Sequence, residues 1–328
     1  LRLVSLFIGI AACFGTWYLG NIAAGKKIGL ISFILSLFLP ASVWSAIFAR
    51  YYTLLILLAI ITTILFISFL RNGSLRHLIW IVLISTIGVY THYYFILLNI
   101  SFTFFLLLAS QYRKLIFKWI YALISTVLLF MPGFFLLLTL PKPDLIGRHA
   151  NSLLKIPSLL ITNVISSETL IFLYFWHNFW SYFPFLTILS LLTLILVVKA
   201  LKGWNSANRI LFASILIIPP AITTLFAYMI KPLLSLGSLQ IFMPALVIIL
   251  SKGISLDIKK SKILTGAYIL TIIVGLYFLF DTSTFYAKPR KDLVYFIHNY
   301  IKGDIVLHSH LGSYLLASYY VGTAPNFE

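Results

Sequence analysis

Long apolar stretches, separated by short segments that contain charge, glycine or proline, are the feature that most limits what this chain can fold into. The stretches fall at about 3–24, 28–47, 51–70, 78–91, 93–110, 119–140, 182–199, 210–230, 239–256 and 263–280. A helix needs about 20 apolar residues to cross the hydrocarbon of a bilayer. The pattern therefore predicts an all-α polytopic membrane protein with about ten transmembrane helices.

Composition agrees with a membrane protein and argues against a nucleic-acid partner. Of the 328 residues, 61% are hydrophobic and 9% are charged, whereas a soluble domain carries about 25% charged residues. A net charge of +17 would indicate nucleic-acid binding in a soluble protein. Here the basic residues lie between apolar stretches, where they are typical of loops that stay in the cytoplasm.

The basic residues also orient the predicted helices. If the crossings alternate, one set of loops holds most of the Lys and Arg, and we expect this set to be cytoplasmic. The set comprises Lys26, Lys27, Arg71, Arg76, Arg113, Lys114, Lys118, Lys199, Lys202, Arg209, Lys252, Lys259, Lys260 and Lys262. Merging 78–110 into a single crossing would divide it, so two crossings are predicted. One kinked or re-entrant element is the alternative, because both stretches are short.

Two longer regions fall on the opposite, extracytoplasmic side. We predict a transmembrane domain over 1–281 whose loop 141–181 lies along the interface, with Trp176 and Trp180 as aromatic anchors. The tail 282–328 combines helical spacing with the strand-like "IVLH" and is predicted to begin a small α/β domain that is incomplete at Glu328. Because the chain starts at Leu1, inside an apolar run, we interpret it as a fragment.

Arg50 is the charged residue that most needs an explanation. In "VWSAIFARYYTLL" it lies at the predicted outer boundary, beside Trp44, Tyr51 and Tyr52. One interpretation is an arginine that reaches to the interface within an aromatic belt. The other is a guanidinium that grips a phosphate, because its fork of donors matches phosphate oxygens. Periodicity does not separate the two.

Other polar residues on the same face are weaker candidates. His92 in "VYTHYYF" is either a hydrogen-bonded interface residue or part of a site. Lys231 and Gln240 bracket a short outer turn, where a topogenic lysine is the ordinary explanation. Glu168 and His177 lie nine residues apart without a second pair of metal ligands, so a metal site there has little support. A surface pair without metal is likewise the simpler explanation of His308 and His310.

Several motifs together resemble one family. They are the opening 1–60, with its Ser45 to Tyr51 element, then "YTHYYFILLN", "FMPALVIILSKG" and "KPRKDLVYFIHNYIKGDIVL". Their order is similar to that in bacterial relatives of the dolichyl-phosphate-mannose protein mannosyltransferases, of the GT-C superfamily. The chain departs from the family pattern in having one more residue between Ser45 and Arg50. It also has Lys231 where relatives often carry Arg-Tyr closer to the Pro-Ala pair.

The resemblance implies a GT-C fold and an inverting transfer of a sugar from a polyprenyl-phosphate donor to a glycan, lipid or protein acceptor. It implies an active face outside the plasma (inner) membrane and donor-phosphate binding by Arg50, Tyr51 and Lys231. The same face would place His92, Tyr93, Gln240, Trp176 and His177 as possible lining residues of the site. The family's catalytic carboxylate lies in a loop that would precede Leu1, so no acid of this chain is assigned to that role.

The sugar, the acceptor and any requirement for a divalent cation stay open at this point. A different class of function, a multi-pass transporter or a flippase for lipid-linked sugars, is the alternative. Such proteins often carry an internal repeat and broken helices near the midplane. The chain shows no repeat, and Pro132, Pro219 and Pro220 are its main helix-breaking residues within apolar stretches.

Overall fold

A computed structural model describes residues 2–47, 51–139, 179–229, 240–259 and 262–277. These residues are almost entirely helical and contain no strand within the described ranges. The helices are α1 (Arg2–Ala24), α2 (Lys26–Phe38), α3 (Pro40–Ile47), α4 (Tyr52–Asn72), α5 (Leu75–Thr91), α6 (Ile96–Leu108), α7 (Ile116–Thr139), α8 (Phe179–Lys202), α9 (Ser206–Met229), α10 (Met243–Ile258) and α11 (Ile263–Tyr277). The all-α prediction is confirmed for these residues.

Fewer candidate membrane spans are found among the described residues than the sequence predicts for the whole chain. Among the described residues, 5 helical segments are long and apolar enough to cross a membrane. They are Leu3–Ala24, Tyr52–Asn72, Ser110–Leu136, Ser206–Thr223 and Gln240–Ile258. The structure is that of a helical protein compatible with several membrane crossings, and the figure of ten spans is not supported.

Pro40 explains one of the differences. The predicted stretch 28–47 is divided into α2, of 13 residues, and α3, of 8 residues. Leu39 takes an extended conformation, with ψ of 123°, because the residue before a proline avoids the helical region. Neither piece is long enough to cross a bilayer alone.

The chain reverses direction at His92, so residues 78–110 do not form one continuous helix. Ser85 and Asn99 lie seven residues before and after His92, and the Ser85 hydroxyl donates to Asn99 Oδ1 at 3.1 Å. In one continuous helix, residues that far apart would be separated by about 20 Å. The helices α5 and α6 are therefore two arms of a hairpin, as the charge pattern predicts, although α5 has only 17 residues and α6 only 13.

An aromatic cluster fills the core between α4, α6 and α7. The rings of Phe66 and Phe102 are stacked, with centroids 4.1 Å apart, and Trp119 meets Phe66 edge-on at 5.1 Å. Trp119 also donates its indole N–H to Thr103 Oγ1 at 2.9 Å.

Large apolar side chains on α1, α7 and α11 face outward instead. Such an apolar exterior is typical of helices that contact lipid.

Most basic residues of the helices, although not Arg2 at the start of α1, gather at one end of the bundle, which we call the basic end. There, Arg71 near the end of α4 donates to the carbonyl of Ile22 near the end of α1, at 3.1 Å. Lys118, in the first turn of α7, donates to the carbonyl of Gly73 at 3.3 Å. Arg71, Arg76, Arg113, Lys114 and Lys118 thus share one end, as predicted from the two-crossing arrangement.

The helices α8, α9 and α10 contribute to the basic end as well. Asn208 on α9 donates to the carbonyl of Ala23 at 2.8 Å. Lys199 in the last turn of α8 forms an ion pair of 2.8 Å with Asp257 in the last turn of α10. Asp257 is fully buried and also accepts the backbone N–H and the hydroxyl of Thr265. This carboxylate therefore joins α8, α10 and the first turn of α11.

Two compact units divide the chain, Leu1–Leu276 and Tyr277–Glu328. The predicted loop 141–181 and the predicted α/β tail 282–328 lie almost entirely outside the described residues. The proposed domain limit at 281 and the strand "IVLH" accordingly stay predictions.

Gly253 permits the closest approach between α8 and α10. A Cβ atom added there would lie 2.4 Å from the carbonyl oxygen of Leu196, a backbone atom that cannot rotate away. We expect Gly253→Ala to lower the free energy of unfolding by about 1–3 kcal/mol. Gly266 on α11 is the matched control, because an added Cβ meets nothing within 4 Å. Gly266→Ala should be neutral or slightly stabilising, and equal effects of both changes in a denaturation series would contradict this packing.

Candidate functional site

Three tyrosine rings from two helix ends form a cluster around His92. Tyr51 comes directly before α4, and its ring is stacked on His92 with centroids 5.3 Å apart. The ring of Tyr93 is stacked on His92 at 4.5 Å, and Tyr94 meets it edge-on at 5.0 Å. The structure therefore brings together three of the residues that the sequence singles out, Tyr51, His92 and Tyr93.

His92 shapes the turn that joins α5 and α6. Its Nδ1 accepts the backbone N–H of Tyr94 at 3.2 Å, and its carbonyl accepts the N–H of Phe95 at 2.9 Å. The turn can be this tight because Gly88 leaves room for Phe95, whose ring would lie 2.5 Å from an added Cβ. His92 thus has a clear structural role, as the hydrogen-bonded interpretation predicts.

The protonation state of His92 limits what it can do chemically. Burial lowers the pKa of His92 from 6.5 to about 4, since the charged form loses its hydration. Because Nδ1 accepts a hydrogen bond, the neutral ring carries its proton on Nε2. At neutral pH His92 is therefore a polar, uncharged ring and supplies no cation for a phosphate.

A cavity of about 380 Å³ lies at the opposite end of the bundle from the basic end. Its walls come from the first part of α1, the last turn of α2, α3, and the first turns of α4 and α10. The lining residues are Leu6, Gly9, Ile10, Ala12, Cys13, Thr16, Ser36, Leu37, Ser42, Val43, Ala46, Thr53, Ile56, Met243, Pro244 and Val247. We call this the cavity end. A volume of this size is within the range of small-molecule sites.

The cavity is mainly apolar, and three of the four hydroxyl groups among its lining residues are hydrogen-bonded within the protein. Thr16 donates to the carbonyl of Ala12 at 2.8 Å, and Ser36 donates to the carbonyl of Ser32, also at 2.8 Å. Thr53 Oγ1 lies 3.1 Å from the hydroxyl of Ser5, outside the lining. What these residues present to the cavity is mainly their hydrocarbon, which favours an apolar occupant.

The cavity and the ring cluster lie at the same end of the bundle. Ala46 on α3 lines the cavity, as does Thr53, two residues after Tyr51. Arg50 falls in the three-residue gap between Ile47 and Tyr51 that the described ranges leave out.

Gln240 lies at the start of the turn that leads into α10. Its side chain is 2% exposed. Among the described residues, neither its amide nitrogen nor its amide oxygen has a hydrogen-bond partner. Buried amides are almost always hydrogen-bonded, so Gln240 is an unusual residue at this end of the bundle.

The remaining predicted site residues lie outside the described ranges. These are Arg50, Lys231, Trp176 and His177, and their assigned roles stay predictions. Within the described part of the chain, no group of three or more His, Cys, Asp or Glu side chains is arranged to hold a metal ion. The described residues therefore do not decide whether the protein requires a divalent cation.

No family model, curated protein or solved structure matches the chain. The assignment of a function therefore depends on the motifs in the sequence and on the geometry at the cavity end.

Sequence reasoning did not find the cavity itself. Its walls come from five helices that are distant along the chain, and each contributes only ordinary small or apolar residues. A weak signal was present in Gly9, where an added Cβ would lie 3.3 Å from Ala46 and 3.6 Å from Thr53. A glycine within a helix is compatible with close approach of another helix, but it does not reveal a space beside that contact.

Proposed function

We propose that this chain belongs to an integral-membrane glycosyltransferase that moves a sugar from a polyprenyl-phosphate donor to an extracytoplasmic acceptor. The observation that carries the proposal is the apolar cavity beside the Ser45 to Tyr51 motif. A polyprenyl-phosphate sugar has a long hydrocarbon chain, a negative phosphate and a polar sugar in series. The cavity suits the hydrocarbon, and the neighbouring Arg50 suits the phosphate.

The distribution of basic residues supports the proposal that the cavity end is extracytoplasmic. The basic end carries the arginines and lysines typical of cytoplasmic loops, so the cavity end would face the outside of the plasma membrane. Lipid-linked sugars are amphiphiles, and a site that opens at the membrane surface lets the lipid stay in the bilayer while the sugar reaches water. Lys231, in the segment before α10, would be a second positive charge for the phosphate.

The proposed reaction is an inverting displacement. An acceptor hydroxyl or amine attacks the anomeric carbon, and the bond from that carbon to the phosphate oxygen breaks. A carboxylate base takes the acceptor's proton, and no acid of this chain is assigned to that role. Arg50 would stabilise the negative charge that develops on the departing polyprenyl phosphate. The neutral His92 and the rings beside it would form one wall near the phosphate.

Cys13 gives a direct test of the donor site. It lines the cavity, and the sequence contains 1 cysteine. Alkylation of this chain by an apolar maleimide in detergent therefore reports on access to the cavity. We expect undecaprenyl phosphate to slow this alkylation at least about tenfold when its site is saturated, because the bound chain covers the thiol. The Cys13→Ser variant lacks the thiol and gives the background of the alkylation measurement.

A matched lipid separates a specific site from general lipid binding. Phosphatidylglycerol also has apolar chains and a phosphate but lacks the isoprenoid branching, and we expect weaker protection from it at equal concentration. Alkylation of Cys13 at an unchanged rate in saturating undecaprenyl phosphate would contradict the proposed donor site.

A further inference from the structure

Gln240 lies one turn before the residues of α10 that form one wall of the cavity, although it does not itself line the cavity. The segment 240–242 is a 3-10 turn that runs directly into α10, and residues three apart in such a turn lie one above the other. Gln240 therefore lies on the same side as Met243 and Pro244, which line the cavity together with Val247. It lies about one helical turn beyond them, roughly 5 Å farther toward the cavity end.

The amide of Gln240 is poised to recognise a polar group. It is buried at 2% exposure, and in the described part of the chain both its donor and its acceptor lack partners. An amide left in this state destabilises the fold, so a group that satisfies both atoms would be bound favourably. The described side chains around the turn include Ile241, Phe242 and Met243, all buried and apolar.

The amide of Gln240 has both a hydrogen-bond donor and an acceptor, and this indicates which part of the proposed lipid-linked sugar it would bind. A phosphate diester offers only acceptors, so it would satisfy the Nε2–H groups of Gln240 and leave Oε1 without a donor. Sugar hydroxyls both donate and accept, and two neighbouring hydroxyls can satisfy both atoms of one amide. We propose that Gln240 binds hydroxyl groups of the sugar in the lipid-linked donor and thereby sets the sugar preference of the enzyme. This inference rests on the proposed function.

The test compares lipids with and without a sugar. Protection of Cys13 from an apolar maleimide is measured with undecaprenyl phosphate and with undecaprenyl phosphate linked to mannose, glucose or galactose. In the wild-type protein, we expect at least one sugar-bearing lipid to protect at about tenfold lower concentration than undecaprenyl phosphate, the gain typical of one or two good hydrogen bonds. Gln240→Met should lose this preference and keep protection by undecaprenyl phosphate.

Asn99→Leu is the matched control. Asn99 is also a buried amide, with its Nδ2 unpartnered within the described ranges, but its Oδ1 accepts the Ser85 hydroxyl, and it lies on α6, which contributes no residue to the cavity lining. This variant should keep the sugar preference. The thermal midpoint of Gln240→Met should equal or exceed that of the wild type, because replacing an unpartnered amide by an apolar group of similar shape does not destabilise.

Each other outcome decides against the inference. A sugar preference that survives in Gln240→Met, or none in the wild type for any of the three sugars, would overturn it while leaving the donor site in place. A lowered midpoint, or failure of both Gln240→Met and Gln240→Leu to fold, would show that Gln240 is a structural residue. If no lipid protects Cys13 at all, the proposed function itself fails.

Discussion

Replacing Arg50 by alanine is expected to abolish sugar transfer, with a loss of about 100-fold or more. The expected size is that of removing one donor that stabilises charge in the transition state. Arg50 lies next to Tyr51, whose ring is stacked on His92 at the cavity end. Since His92 is neutral at pH 7, it supplies no charge that would replace the guanidinium. Transfer from a radiolabelled polyprenyl-phosphate sugar is the measurement.

The controls separate a role in the site from a role in folding. Arg71→Ala removes an arginine at the basic end, where the side chain donates to the carbonyl of Ile22, and should leave transfer within about threefold of wild type. Arg50→Lys keeps the charge but loses the fork of donors, so intermediate activity is expected. The Arg50 variants should still insert into membranes in normal amounts. Near-normal transfer by Arg50→Ala would refute the role given to Arg50.

Replacing Lys199 by methionine is expected to lower the free energy of unfolding by about 3 kcal/mol. The reason is that Asp257 is 0% exposed, so loss of its partner at 2.8 Å leaves a buried charge uncompensated. Thr265 still donates two hydrogen bonds to the carboxylate, which keeps the expected loss at the low end of the range for broken buried pairs. Unfolding in detergent micelles with added denaturant measures the change.

Substitutions of Lys202 and of Asp257 provide the comparison for Lys199→Met. Lys202 lies in the same last turn of α8 and is exposed, so Lys202→Met should change stability by less than about 0.5 kcal/mol. Asp257→Asn in the Lys199→Met background should recover part of the loss, because the buried charge is then gone. A Lys199→Met protein as stable as Lys202→Met would show that the ion pair contributes nothing.

The helices and their grouping at the basic end were predictable because they depend on local composition. Apolar stretches of helical length gave most helix positions, and the charge pattern predicted that α5 and α6 run in opposite directions. The number of spans was overestimated, since apolarity alone does not show where a helix breaks. Pro40 was visible in the sequence, but the run 28–47 was read as one crossing.

The site was only partly predictable, because it depends on contacts between distant segments. The motif order led to Tyr51, His92 and Tyr93, which do lie together. Gln240 was noticed only as one end of a turn, and its burial without a partner among the described residues depends on how α10 packs among other helices. The capping of α11 by Asp257 was missed for the same reason, since a carboxylate in a basic loop resembles an ordinary solvated residue.

Transfer of label by the protein in sealed liposomes is the most direct test of the proposed function. Radiolabelled polyprenyl-phosphate sugar is supplied together with a cell-envelope extract as the source of acceptor. The account predicts that label leaves the lipid and appears in an acceptor product, with polyprenyl phosphate as the second product. Label that crosses the bilayer while the lipid-linked sugar stays intact would contradict it and identify a transporter or flippase instead.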